Sequence, residues 1–189
     1  MHFHKPYSII ISILTGGINL NINEKIEKLR QLMIKEGVTA YIVPTSDPHQ
    51  SEYVADHYKA RAWVSGFTGS AGTVVITRDE ALLWTDGRYF IQAEQELEGS
   101  EFKLMKIGTP NTPGYMEWLK DNLKTGDKIA FDGKLLSQAT VNKLEKTIDD
   151  PSIKLVNNYD LIDEIWENRP SLPKGKIFIH EEKYTGLTV

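Results

Sequence analysis

The chain has 189 residues, 40% hydrophobic and 25% charged, which is the size of one ordinary globular domain with a sizeable core. Its net charge of −4 comes from interspersed signs without a basic stripe, so nucleic acid is excluded as an expected partner. The absence of cysteine excludes disulfides and thiolate zinc sites and fits a reducing compartment, so we expect a cytoplasmic protein.

The first segment of the chain, residues 1–20, contains a short apolar run over residues 9–14. A bilayer span needs about 20 apolar residues, so this run predicts no membrane anchor. Its weak positive start and poor cleavage site leave a secretory signal as a minor interpretation, beside an extra strand. We favour a leader of open origin outside the fold, with the domain proper covering residues 21–168.

Hydrophobic spacing predicts the elements of the first half. A helix is expected over residues 23–37, with Asn23 as N-cap and Gly37 as C-cap, followed by a buried strand over residues 38–43. A polar loop over residues 45–52 then leads to a short helix over residues 53–58. Two β-branched or aromatic runs, residues 73–77 and 81–85, are separated by three polar residues and predict an antiparallel hairpin.

The second half of the chain alternates between the two kinds of element. Helices are expected over residues 88–97, 112–123 and 137–148, and strands over residues 102–107, 128–131 and 153–156. Such alternation indicates crossover connections over a sheet. The predicted fold class is therefore α/β, with a mixed sheet of about five or six strands, helices on both faces and one antiparallel hairpin.

A last helix is expected over residues 159–166, after which two prolines mark an exposed boundary. We therefore assign residues 169–189 to a linker and the first strand of a second domain that the chain does not complete. Residues 176–180 are the expected strand, and it would lack its neighbours.

Gly66, Gly69 and Gly72 invite comparison with a phosphate-binding loop. They lack a Gly-Lys-Ser/Thr ending and precede a strand, whereas a phosphate site needs a helix N-terminus. Positive φ or close backbone approach in a tight loop explains them best, and a loop that shapes a ligand cleft is the alternative. An independent small-molecule or nucleotide-binding module stays open as an alternative function.

Carboxylates and imidazoles crowd into one short stretch, which superficially resembles a metal cluster. Its members are Asp47, His49, Glu52, Asp56 and His57. Their spacing matches no helix-borne ligand pair, so loop capping is favoured, a cleft edge is second, and we expect no metal ligands here. A metal-dependent nuclease would instead require Asp47, Asp86 and Asp132 to converge in space, which the sequence leaves open.

Arg88 follows Asp86-Gly87 and stands at the start of a predicted helix, where a cation is unfavourable to the helix dipole. Its planar donors suit a peptide carbonyl or carboxylate, and a salt bridge to Asp86 or Glu94 explains it equally well. Trp63 and Phe67 flank the glycines; both suit the core, and both would suit a cleft wall if exposed.

Three segments together resemble the first domain of the Xaa-Pro aminopeptidases, metallopeptidases that remove an N-terminal residue preceding proline. These segments are residues 47–53, 64–73 and 84–90. Weaker similarity continues to the C-terminus, where residues 161–170 resemble the exit from that domain and residues 184–189 the entry into the second. The resemblance implies the ribonuclease-H-like creatinase/prolidase N-terminal fold.

The resemblance also implies a function. In large members of the family two α/β domains precede a catalytic domain that binds two manganese ions, and none of those ligands matches a position of this sequence. By the motif match Arg88 is expected to contact the peptide substrate. Members of the family use this domain to line the substrate cleft, and His49, Trp63 and Phe67 are the candidate cleft-lining residues. The chain is expected to be inactive alone, to assemble with its own second and catalytic domains, and to form a homo-oligomer in the full-length enzyme.

Overall fold

The computed structural model describes residues 20–187, and in this part of the chain six strands form one sheet. The strands are β1 (Ala40–Pro44), β2 (Thr73–Thr77), β3 (Ala81–Thr85), β4 (Phe102–Lys106), β5 (Lys128–Phe131) and β6 (Lys154–Val156). Their order across the sheet is β4-β3-β2-β1-β5-β6. Strand β2 is antiparallel to β1 and β3, and the remaining neighbours are parallel. The predicted mixed sheet and its antiparallel hairpin are confirmed.

Helices cover both faces of this sheet, as predicted. They are α1 (Ile22–Lys35), α2 (Ala60–Ser65), α3 (Phe90–Glu96), α4 (Tyr115–Asn122) and α5 (Gln138–Ile148), with one isolated turn, α6 (Glu182–Thr185), near the end of the described chain. Helices α1, α2 and α3 share one buried cluster, and α4 and α5 share the other. Successive side chains of β2 point to opposite faces of the sheet, so Val74 and Ile76 belong to the first cluster and Val75 to the second.

The start of α1 differs from the sequence prediction. Asn21 is the N-cap, because its Oδ1 accepts from the Glu24 backbone N–H at 3.0 Å while Glu24 Oε2 accepts from the Asn21 N–H at 2.7 Å. Asn23 instead links α1 to the start of β4, where its Oδ1 accepts from the Glu101 N–H at 2.9 Å. The C-cap is Glu36, and Gly37, which the sequence predicted as the C-cap, follows it with a φ of 64°.

The region between β1 and β2 also differs. The helix expected over residues 53–58 is a single 3₁₀ turn, Asp56–Tyr58, and α2 follows it directly. Helix α2 has only six residues, too few to show a hydrophobic period.

The helix expected over residues 159–166 is wrong, because this segment forms successive turns. Its apolar side chains are buried in the first cluster, and the Tyr41 hydroxyl bonds to both the Tyr159 carbonyl and the Leu161 N–H at 3.1 Å. The Tyr159 carbonyl is a group that a helix over these residues would use internally, so its bond to Tyr41 competes with that helix. Tertiary contacts therefore overrode the helical pattern.

The C-terminal part of the described chain divides near Pro170. The side chain of Arg169 is 6% exposed and donates to Asp160 and Asp163 at 2.6 and 3.0 Å and to the His57 carbonyl at 2.9 Å. His57 Nδ1 lies 2.7 Å from the Pro170 carbonyl, so contacts with the domain continue two residues past 168. Beyond them residues 171–187 are exposed, and the strand expected over residues 176–180 is absent.

The interpretations of the leader fall on residues 1–19, which lie outside the described part of the chain. Every helix within residues 20–187 is too short or too polar to cross a bilayer.

Candidate functional site

Three loops meet at one edge of the sheet. Pro44 at the end of β1 pairs with Thr73 at the start of β2, which in turn pairs with Trp84 near the end of β3. This register brings together the β1 loop (residues 45–58), the glycine loop (residues 66–72) and the Asp-Gly-Arg turn (residues 86–88). In α/β folds, ligands commonly bind at the carboxyl ends of the parallel strands, and β1 and β5 form such a pair here.

Arg61, on α2, holds the glycine loop from inside. Its Nε donates to Thr45 Oγ1 at 2.9 Å, and its two terminal nitrogens donate to the carbonyls of Phe67 and Gly69. Thr45 continues the network, since its N–H and hydroxyl both donate to the Gly72 carbonyl at 2.9 Å. Burial lowers the pKa of Arg61 to about 10, which leaves the side chain charged at neutral pH. The loop therefore owes its shape to a buried cation.

Two of the glycines are required by this shape, as the sequence suggested. Gly66 ends α2 with a φ of 76°, a left-handed conformation that favours glycine. Gly69 is required by space, because a Cβ there would overlap the ring of Phe67 and lie 2.8 Å from Tyr89 Cδ1. The loop thus packs against an aromatic pair.

Helix α3 fixes the outer side of the glycine loop. The carboxylate of Glu96 accepts from the Thr68 N–H at 2.8 Å and from its hydroxyl at 2.6 Å. Ser70 Oγ lies 2.6 Å from the Tyr89 hydroxyl. A phosphate cradle needs free loop N–H groups. The Thr68 N–H is already bound by a carboxylate, so this geometry gives the nucleotide alternative no support.

Arg88 lies on the surface beside this loop, before the N-cap of α3 rather than within the helix. Its Nε and Nη2 donate to the two oxygens of Asp86 at 2.8 Å each, and 67% of its side chain is exposed. Hydrogen bonds from Arg88 lower the pKa of Asp86 to about 2. Of the two ion-pair partners suggested by the sequence, Asp86 is therefore the one used, while Glu94 pairs with Lys106 at 2.6 Å.

The three residues expected to line a cleft occupy different environments. His49 is exposed on the β1 loop, where its N–H donates to Asp47 Oδ1 at 2.9 Å. Trp63 is half-buried and stacks on Trp166 with ring centroids 5.0 Å apart. Phe67, which belongs to the glycine loop, is 0% exposed and packs into the first buried cluster. Of these three residues, only His49 is exposed.

The carboxylates considered for a nuclease bind their own loops. Asp47 Oδ1 accepts from the N–H groups of His49 and Ser51, Asp86 binds Arg88, and Asp132 Oδ1 accepts from the Lys134 N–H at 3.0 Å. Within residues 20–187 no three or more His, Asp or Glu side chains are grouped so as to hold a metal ion. The described residues therefore offer no two-metal site.

A cavity of about 360 Å³ lies between the β1 loop and the glycine loop. Its lining includes the 88% exposed Tyr53, together with Arg61 and Ser70. The other lining residues are Thr45, Glu52, Val54, Tyr58, Lys59, Ala62, Thr68 and Gly69. Since Ser70 also contacts Tyr89, the cavity and the Asp-Gly-Arg turn are connected through one hydrogen bond.

Residues 25–165 match the family model of the creatinase/prolidase N-terminal domain. The chain belongs to this family. A creatinase/prolidase N-terminal domain was expected from the three motif segments, and both the family and the fold are confirmed.

Among known proteins, this creatinase/prolidase N-terminal domain is 46% identical over 173 residues to aminopeptidase P2 of Arabidopsis thaliana, covering 89% of the chain and 24% of that protein. It is 43% identical over 174 residues to Xaa-Pro aminopeptidase 1 of Dictyostelium discoideum, covering 87% of the chain and 28% of that protein. The chain thus spans about a quarter of the length of these relatives.

A solved structure is similar as well. The X-prolyl aminopeptidase of Caenorhabditis elegans, described as a cytosolic enzyme with a di-nuclear active site, superposes with a TM-score of 0.81 at 37% identity. The match covers 89% of this chain and 29% of that one.

Proposed function

We propose that this chain is the N-terminal, non-catalytic domain of a cytoplasmic Xaa-Pro aminopeptidase, which removes an N-terminal residue preceding proline. The domain lines part of the substrate cleft and helps to assemble the enzyme. Similarity to Xaa-Pro aminopeptidases across nearly nine tenths of the chain supports this assignment, as does the fact that the chain spans only about a quarter of their length.

The chemistry belongs to a different part of the enzyme in this proposal. No group of side chains in residues 20–187 fits a metal ion, so the two manganese ions that we infer would be held by a catalytic domain outside these residues. We propose that this domain joins a second domain and the catalytic domain in one polypeptide, and that the full-length enzyme forms a homo-oligomer. Alone, the present chain is expected to leave Xaa-Pro peptides uncleaved.

Arg88 is the proposed substrate contact. An exposed guanidinium with free donors suits a peptide with proline at its second position, whose tertiary X-Pro amide has a carbonyl acceptor but no N–H. We place His49 at the rim of the cleft, with Trp63 and Phe67 supporting the loops behind it. The arrangement of the glycine loop, the Tyr89 ring and the Asp-Gly-Arg turn carries this assignment.

The test uses the chain extended through the catalytic domain and measures manganese-dependent cleavage of a Xaa-Pro-Pro peptide. We expect Arg88→Ala to lower kcat/KM at least tenfold, which corresponds to about 1.4 kcal/mol of transition-state stabilisation. Arg78→Ala is the matched control, because Arg78 is also exposed but lies in the β2–β3 turn at the opposite edge of the sheet. Equal activity of the two variants would restrict Arg88 to a structural role.

A further inference from the structure

The ion pair of Arg88 with Asp86 uses only one side of the guanidinium. A guanidinium carries five N–H donors, and Asp86 takes one from Nε and one from Nη2. The three that remain, two on Nη1 and one on Nη2, have no acceptor among residues 20–187. Two of these point in parallel from the end of the side chain and form a second fork, which faces away from Asp86.

Asp86 also sets the direction of this second fork. Its Oδ1 accepts from the Arg88 backbone N–H at 3.1 Å as well as from Nε, so the carboxylate binds both ends of the same residue. The guanidinium additionally lies over the ring of Tyr89, with 5.2 Å between its carbon and the ring centroid. A long, exposed side chain loses much rotamer freedom when it binds a ligand, and these contacts restrict that freedom beforehand.

The pair is close to neutral as a unit. The Asp86 carboxylate stays ionised beside Arg88, so an approaching anion is attracted by one charge and repelled by the other. An acid about 4 Å from the guanidinium and about 7 Å from Asp86 would keep less than half of the Coulomb attraction that a free arginine offers. A neutral carbonyl binds the free fork through short-range hydrogen bonds, so the charge of Asp86 weakens its binding much less than that of an anion.

We infer that Asp86 is a positioning residue that aims the free fork of Arg88 and offsets its charge, so that the pair recognises an uncharged peptide carbonyl in preference to a free carboxylate. This inference rests on the proposed function, because it assumes that Arg88 meets the substrate. The inference also predicts the preferred substrates. These are peptides that are long enough to extend beyond Arg88, in preference to peptides whose C-terminal carboxylate lies at Arg88.

The experiment compares wild type with Asp86→Asn in the chain extended through the catalytic domain. Asparagine keeps one oxygen for the Arg88 backbone but loses the charge and the second acceptor. The substrates are Xaa-Pro peptides of two, three and four residues, each with a free C-terminal carboxylate or a C-terminal amide. For the peptide whose C-terminus reaches Arg88, wild type is expected to cleave the amide with a higher kcat/KM than the free acid. In Asp86→Asn the ratio of kcat/KM for the amide to kcat/KM for the acid is expected to fall about tenfold.

Controls separate this inference from the proposed function. Glu80→Gln removes one negative charge from the Glu80–Lys103 pair at the opposite edge of the sheet and is expected to leave the ratio unchanged. If Arg88→Ala loses activity while Asp86→Asn keeps the wild-type ratio at every length, Asp86 has no such role and the proposed function stands. If Arg88→Ala is fully active, the proposed contact itself fails, and the inference fails with it.

Discussion

Two arginines at the same edge of the sheet are used in opposite ways. Arg61 is 4% exposed, and each of its three nitrogens donates once, to a hydroxyl and two loop carbonyls within its own domain. Arg88 is exposed, pairs with a single carboxylate two residues away, and keeps three donors free within the described chain. A buried cation whose three nitrogens all donate within its own domain stabilises a shape, whereas an exposed cation with one nitrogen, Nη1, free of partners in the described chain can act on something else.

The same comparison explains why an arginine next to a conspicuous motif is not by itself evidence of ligand binding. Arg61 lines the cavity at the glycine loop, yet the donors described above are turned toward loop oxygens. Arg88 lies outside that cavity and keeps its free fork at the surface. Burial and the hydrogen-bond partners distinguish the two roles, and residue type does not.

The largest expected effect is on stability, from Arg61→Met. Methionine fills part of the space but leaves two carbonyls and one hydroxyl without their donor, so we expect the free energy of unfolding to fall by about 3 kcal/mol. Denaturant unfolding of this chain measures it. Arg78→Met on the exposed hairpin turn is the control. A loss for Arg61→Met as small as that of the control would show that the loop holds its shape without the buried cation.

A smaller effect on stability is expected from Gly69→Ala. The new methyl group would collide with the ring of Phe67 and crowd Tyr89, and relieving such a clash costs about 2 kcal/mol. Gly175→Ala is the matched control, because a Cβ at Gly175 has no neighbour within 4 Å. Indistinguishable unfolding midpoints for the two variants would mean that the aromatic pair moves aside freely.

The smallest effect on stability is expected from Arg88→Ala at neutral pH, because exposed ion pairs contribute little to the free energy of unfolding. The pH dependence identifies its source. The folded pKa of Asp86, about 2, lies below the ordinary 3.8, so the pair stabilises the fold above about pH 4 and loses this effect as the pH falls toward 2. The difference in melting temperature between wild type and Arg88→Ala should therefore shrink over this range. A difference that stays constant would point to lost packing on Tyr89 instead of lost charge.

The sequence predicted most of the sheet because its strands carry their own signal. Residues 73–77, 81–85 and 128–131 form strands with the expected bounds, since short β-branched runs between polar turns suit a buried pleated surface. The helix predicted over residues 159–166 is wrong because this segment depends on distant residues. Its apolar spacing is helical, but burial of Leu161 and Ile162 and the Tyr41 hydroxyl bonds hold it in turns. Contacts with residues far away in the chain cannot be recognised from the spacing of apolar residues within the segment.

For the site, the sequence by itself determined which segments matter, because the glycine motif and Trp84-to-Phe90 could be read directly, and it named Asp86 as one possible partner of Arg88. It gave no sign of Arg61, which precedes the motif on a six-residue helix and resembles any other surface arginine in the sequence. Only the tertiary structure decided that Arg61 is buried against the glycine loop, that Phe67 lies inside and that Arg88 keeps one fork without a partner among residues 20–187. The physical reason is that burial and hydrogen-bond partners depend on residues far apart in the chain, which meet only when the strand register brings the three loops to one edge.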